Sequence, residues 1–150
     1  MKTAAKVLAG TVIVAALLWT TTFLYWHVRI LGAIRTMQTQ TTSEAQRAAE
    51  DVLNEAGCRS LPYLFEALNP NQSPDFLMGA TIHIGFIVAA PGEPILYNPK
   101  VAAWLNQWEI TRDDPPDVRR RKCEGLRAWW KENGARTHQV WRIWSKECLP

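Results

Sequence analysis

Few residues in this chain could carry chemistry: three cysteines, three histidines and the basic run Arg119-Arg120-Arg121-Lys122. A metal centre needs ligands at short, regular spacing, and His27, His83 and His138 stand far apart with no C-x-x-C, H-x-x-x-H or C-x-x-C-H pattern. Acyl or phosphoryl transfer needs a nucleophile elbow, a phosphate-cradling glycine loop or paired acids in context, and none is written here. A Cys58–His138 dyad would have to be assembled entirely by the fold. His27, just past an apolar run, has the chemistry to ligate a porphyrin metal, but a ring at a membrane boundary more simply wets its nitrogens. His83, inside an apolar run, reads as a hydrogen-bonded core histidine. The expectation is a non-enzyme with no cofactor, no metal and no small-molecule substrate.

The cysteines carry more geometric content. Cys123 lies eleven residues before Gly134 and Cys148 fourteen after it. If Asn133-Gly134 turns an antiparallel helical hairpin, the two return to one level and a Cys123–Cys148 disulfide is feasible. Closing a loop of about 25 residues would contribute roughly 3 kcal/mol in the chain-entropy view. The same hairpin would gather Trp129, Trp130, Trp141 and Trp144, four of the eight tryptophans. Each buries a large area, so together they can build a compact core. Trp129 and Trp130 are adjacent and cannot both point fully inward, which leaves one for a partner contact.

The elements that must position these groups begin with Val7–Trp26, twenty residues without a charge. At 1.5 Å per residue such a helix covers about 30 Å, the thickness of a hydrocarbon core. The stretch is long for a secretory signal and no A-x-A-like cleavage site follows it, so it reads as an uncleaved single-pass anchor. Thr20, Thr21 and Thr22 weaken its hydropathy but can bond back to the helix. Tyr25, Trp26, His27, Arg29 and Arg35 suit the membrane interface, the arginines by snorkelling. Positive charge flanks both sides about equally. Three cysteines beyond the anchor are compatible with an oxidising compartment without requiring it. The opposite arrangement would carry the N-terminal amine and two lysines across, so the expectation is a cytoplasmic N-terminus and an extracytoplasmic, periplasmic domain. Without Lys2 and Lys6 the remaining chain holds fifteen basic and fourteen acidic residues, so the formal charge of +3 is no sign of nucleic-acid binding.

The expected organisation is a short tail over 1–6, the transmembrane helix over 7–26, an amphipathic juxtamembrane stretch and stalk over 27–43, and a helical domain over 44–150. Ser43 is the expected cap of a helix whose small face, Ala45, Ala48, Ala49 and Val52, invites close approach by another helix, and Gly57 stops it. Ser60 is the expected cap of the next. Ser73-Pro74-Asp75 and Asn98-Pro99 each pair a cap with a first-turn proline. Phe76–Ala90 is apolar nearly all round, as a central buried helix would be, although Thr81–Phe86 alternates like a strand. Further helices are expected over 118–132 and 135–146. The fold class is all-α.

Two stretches, LPYLFEALNPNQSPDFLMGATIHI and VAAWLNQWEITRDDPPDVRRRKCEGLRAWW, share a template of helix, proline-and-acid turn, and helix. They resemble HEAT-type helical repeats, with Asp114-Pro115-Pro116-Asp117-Val118-Arg119 the best match and Cys123 near the small-residue position. The first copy has Asp75-Phe76-Leu77 in place of the Val-Arg step. The resemblance covers about residues 45–132, and two repeats fall short of the three or so that bury a continuous core. It implies a scaffold or binding surface and carries over no catalytic residue.

The expected function is therefore a non-catalytic accessory subunit of a larger membrane complex, held in the bilayer and touching other subunits. Candidate contacts are Gly10, the small face Ala45, Ala48, Ala49 and Val52, the bases Arg119, Arg120 and Arg121, and Trp129 and Trp130. The alternative is a freestanding anchored binding module, an adaptor or inhibitor of an exported partner.

Overall fold

The computed structural model describes residues 2–39, 42–89 and 98–137. These form six α-helices and one 3-10 turn, with no strand among the described residues. Helix α1 spans Lys2–Thr39, roughly 57 Å at 1.5 Å per residue. Its apolar first part is exposed, with Val12, Leu17 and Leu18 at 59–61%, and it is long and apolar enough to cross a membrane. The threonines of this segment pair as expected: Thr20, Thr21 and Thr22 donate to the carbonyls of Ala16, Leu17 and Leu18 at 2.8–2.9 Å.

The second part of α1 behaves differently. Ile30, Ala33, Ile34 and Met37, at helical spacing, are 1–5% exposed and belong to the domain's core. The amphipathic juxtamembrane stretch continues the helix as expected, and its apolar face is docked on the domain. Its apolar stripe has a partner in α2, Ser43–Ala56, which packs back along it. Ala49, Leu53 and Ala56 are the buried positions of α2, so the close approach implied by its small residues is made by α1 itself.

The cap of α2 is Thr42, one residue earlier than expected, its hydroxyl accepting from the Ala45 N–H at 3.3 Å. Gly57 ends the helix with φ 56°, a conformation that favours glycine. The 3-10 turn Gly57–Ser60 leads into α3, Leu61–Ala67. Ser60 does not cap α3; its hydroxyl turns back to donate to the Gly57 carbonyl at 2.6 Å. Helix α4, Pro74–Ala89, starts at Ser73, whose hydroxyl accepts from Phe76 N–H, and settles the helix-or-strand ambiguity in favour of helix. Seven of its residues are buried, which explains why its pattern shows no polar face. Helix α5, Pro99–Trp108, is capped by Asn98 as expected.

Helix α6 runs without interruption over Pro116–Thr137, so the turn expected at Asn133-Gly134 is absent. Asn133 donates its side-chain amide to the Trp129 carbonyl one turn back. Gly134 is covered by the Trp130 ring, which a β-carbon there would meet at 2.8 Å. Glycine serves close packing here and does not end the helix. α4 packs on α5, and α3 contacts both α4 and α6.

Candidate functional site

Three clusters of functional side chains follow from this packing. The first lies where α1 enters the domain. Arg29 donates to the Tyr25 hydroxyl at 2.7 Å and pairs with Glu55 of α2 at 3.0 Å. Its guanidinium also sits 5.2 Å from the Tyr25 ring and 5.4 Å from Trp26, while Arg59 covers Trp26 at 5.0 Å. His27 Nδ1 lies 2.9 Å from the Tyr63 hydroxyl, and Phe23 stacks on its ring. Four of the five residues assigned to the membrane interface thus form one aromatic and cationic collar joining α1 to α2 and α3; Arg35 is exposed beyond it. Arg59, Glu55 and Tyr63 were not foreseen, because their places depend on α2 and α3 folding back on α1.

The second cluster is aromatic. Trp129 and Trp130, both half-buried, flank Phe65: Trp130 stacks on it at 4.6 Å and Trp129 lies at 6.0 Å. Trp104 meets Trp129 edge-on at 5.1 Å. Leu126 and Cys123, fully buried on the same helix, continue this surface into the core. Trp141 and Trp144 lie outside the described residues.

Cys123 is a free, buried thiol, so the expected Cys123–Cys148 disulfide is not formed. The physical reason is its position: with 0% exposure among core side chains it has the environment of a small apolar residue, and burial raises its pKa. The expected route to Cys148 also depended on a turn that α6 does not make. A bridge in this chain therefore runs through Cys58; Cys148 lies outside the described residues.

The remaining expected contacts separate by exposure. Gly10 is exposed, and a β-carbon there would meet nothing within 4 Å. Ala48 is exposed, Ala45 and Val52 are half-buried, and Ala49 is in the core. Arg120 is exposed, and Arg121 pairs with Asp117 at 3.1 Å on the outside of α6. Arg119 turns inward far enough for its Nε to be buried without a hydrogen-bond partner. Lys122 reaches Asp114 at 2.8 Å and the Glu109 carbonyl, fastening the α5–α6 turn. Burial pushes the Asp114 carboxyl up, but the Lys122 ammonium and the Thr111 N–H outweigh it and hold it below its ordinary value.

The third cluster surrounds a cavity of about 300 Å³ between α2, α4 and the end of α1. Its lining includes Met37, Ile82 and Phe86 as apolar wall and Glu50, Asp75, Arg112 and His83 as polar groups. Arg112 is hydrogen-bonded to Asp75. His83 is 7% exposed, and its Nε2 is buried without a hydrogen-bond partner. Burial drives its pKa down to about 4, opposed by a hydrogen bond to the Leu53 backbone carbonyl. No group of three or more His, Cys, Asp or Glu among the described residues is arranged to hold a metal ion. The sequence does place Gln46, Glu50 and Asn54 four residues apart, a polar stripe on α2. What it does not show is that α4 presents His83 to them.

Comparison of the chain with family models, with curated proteins and with solved structures returns no match. Fold and sites therefore carry the functional argument alone.

Proposed function

We propose that the chain is a single-pass, membrane-anchored accessory subunit without catalytic activity, which joins a larger membrane complex through its helical domain. The observation that carries this reading is the division of α1. One continuous helix exposes an apolar surface from Val12 to Leu24 and buries Ile30, Ala33, Ile34 and Met37 in the domain. In water the first half would be a severe solubility liability; in a bilayer it is an anchor. Because the helix does not break between the halves, the domain is mounted rigidly close to the membrane surface, as suits a fixed subunit.

On this reading the N-terminus is cytoplasmic and the domain extracytoplasmic, with the aromatic collar at the headgroups. The domain is HEAT-like in the sense of short helices joined by proline-and-acid turns. Support comes from the Asp114 turn clamped by Lys122 and from the Ser73–Pro74 start of α4. Exposed Gly10, Ala48, Arg120 and Arg121 are the contacts available to neighbours. The test is gentle solubilisation of native membranes, a native gel, and mass spectrometry of co-migrating proteins. One large stoichiometric band supports the subunit reading. Migration near the chain's own mass refutes it and favours an anchored adaptor or inhibitor.

A further inference from the structure

We propose that Cys58 is bridged to Cys148, which fastens the C-terminal end of the chain to the turn between α2 and α3, and that the bridge is made in an oxidising compartment. The argument starts from the three cysteines of the sequence. Cys58 is disulfide-bonded. Cys123 is a free thiol, fully buried in the core. Cys58 of a second copy is a poor partner, because the residue is 8% exposed among core side chains. Two such sulfurs would have to approach to the roughly 2 Å of an S–S bond without opening either domain. Cys148 is the cysteine that is left.

The length of the chain permits the bond. Trp130 of α6 stacks on Phe65 of α3 at 4.6 Å, and packed helices lie about 8–10 Å apart axis to axis. From Trp130 to the end of α6 at Thr137 is seven residues, about 10 Å of helix. From Phe65 back to Cys58 is again seven, through α3 and the 3-10 turn, about 12 Å. Thr137 and Cys58 are thus no more than about 30 Å apart. The eleven residues from Thr137 to Cys148 can span about 36 Å.

The bridge holds the Gly57–Ser60 turn. Arg59, the next residue, covers Trp26 at 5.0 Å in the collar where α1 meets the domain. Fixing Cys58 therefore fixes the turn that braces the anchor helix. Its formation is a two-electron oxidation. One thiolate attacks a disulfide-bearing oxidant to give a mixed disulfide, and the second thiolate displaces the oxidant's sulfur. Both protons and both electrons end on the oxidant, which leaves as a dithiol. Such bonds form and persist outside the cytoplasm. The bridge thus places the domain on the extracytoplasmic face, a step that rests on the anchored-subunit reading.

The test quenches cells producing the full chain with acid, alkylates free thiols in denaturant, and maps tryptic peptides without reduction. The expected result is the peptide of residues 48–59 joined to that of residues 147–150, with residues 123–127 alkylated. Cys123→Ser should keep the bridge. Cys148→Ser should free Cys58 and lower the thermal midpoint of the chain in neutral detergent by about 10 °C or more, as reductant should for the unsubstituted chain. Alkylated Cys58 in the quenched cells, or its peptide joined to residues 123–127 or to a second copy of itself, would overturn the proposal. So would a midpoint unmoved by reductant. Retention in carbonate-washed membranes, scored on the same cells, reads the anchor separately. Retained chain with Cys58 alkylated refutes the bridge and leaves the anchor standing; bridged chain lost from the membranes supports the pairing and refutes the anchor.

Discussion

Replacing Ile34 by alanine separates a docked helix from a stalk more sharply than any other single change. Ile34 is 4% exposed on the stripe that α1 turns to the domain, beside Ile30 at 1% and Met37 at 4%. Deleting most of such a side chain costs its transfer free energy plus the cavity left behind, about 2–5 kcal/mol. Against a total stability of about 5–15 kcal/mol for a domain, that is a large fraction. In urea, where a small protein loses about 1–3 kcal/mol per molar denaturant, the midpoint should fall by about 1 M or more. The control is Val28→Ala on the same helix, where the side chain is 66% exposed and the effect should stay within about 0.5 kcal/mol. Both variants are made in the full chain and unfolded in one neutral detergent, followed by tryptophan fluorescence. Trp104, Trp129 and Trp130 pack together in the domain, so the signal reports on its unfolding. Equal midpoints for the two variants would refute the docked helix and leave residues 27–39 independent of the domain.

Three further outcomes follow from particular contacts. His83 has its pKa lowered to about 4 by burial, so between about 4 and its ordinary value of about 6.5 the unfolded chain binds a proton that the folded chain does not. Stability should therefore rise with pH across that window, by at most about 1.4 kcal/mol per unit, and be lost as pH falls; a His83→Gln variant with an unchanged slope would refute this. Gly85→Ala places a β-carbon 2.5 Å from Trp104 Cδ1 and should cost about 1–3 kcal/mol in thermal or urea unfolding, relieved in combination with Trp104→Leu. Peptide mapping of oxidised, unreduced protein should return Cys123 as a free thiol reactive only after unfolding, because it is fully buried; recovery of a Cys123–Cys148 peptide would contradict the structure.

Local signals were legible in the sequence wherever the physics is local. The α2 stop at Gly57 and the starts at Ser73 and Asn98 each depend on one backbone conformation or one side-chain cap, and the structure has all three. The same reasoning failed at Ser43 and Ser60, where a hydroxyl had competing partners and the neighbour or the backbone carbonyl took the bond. Asn133-Gly134 reads as a turn from propensity, yet the Trp130 ring needs a neighbour without a β-carbon to lie flat on α6, and packing overrode propensity. The His83 cavity was illegible for a different reason. Its residues come from α1, α2, α4 and the segment before α6, and no spacing along the chain records that they meet.

The path of α1 also constrains how the domain meets a bilayer. If the apolar half spans, the hydrocarbon boundary cannot lie beyond Arg29, whose guanidinium is committed to Glu55 of the domain. It cannot lie far before Tyr25 either, since Leu24 is 52% exposed and has no domain surface to cover it. In that case the collar of Tyr25, Trp26, His27 and Arg29 would be held at headgroup depth by the chain's own packing, with Tyr63 and Arg59 beside it. A flexible stalk would let the domain sample many orientations and pay the entropy of ordering whenever it met a partner. A continuous helix whose second half is core has already paid that cost in folding. If the apolar half spans, the domain is preorganised toward the membrane plane, and on the proposed reading substitutions in the collar should weaken any assembly at the membrane more than they weaken the fold.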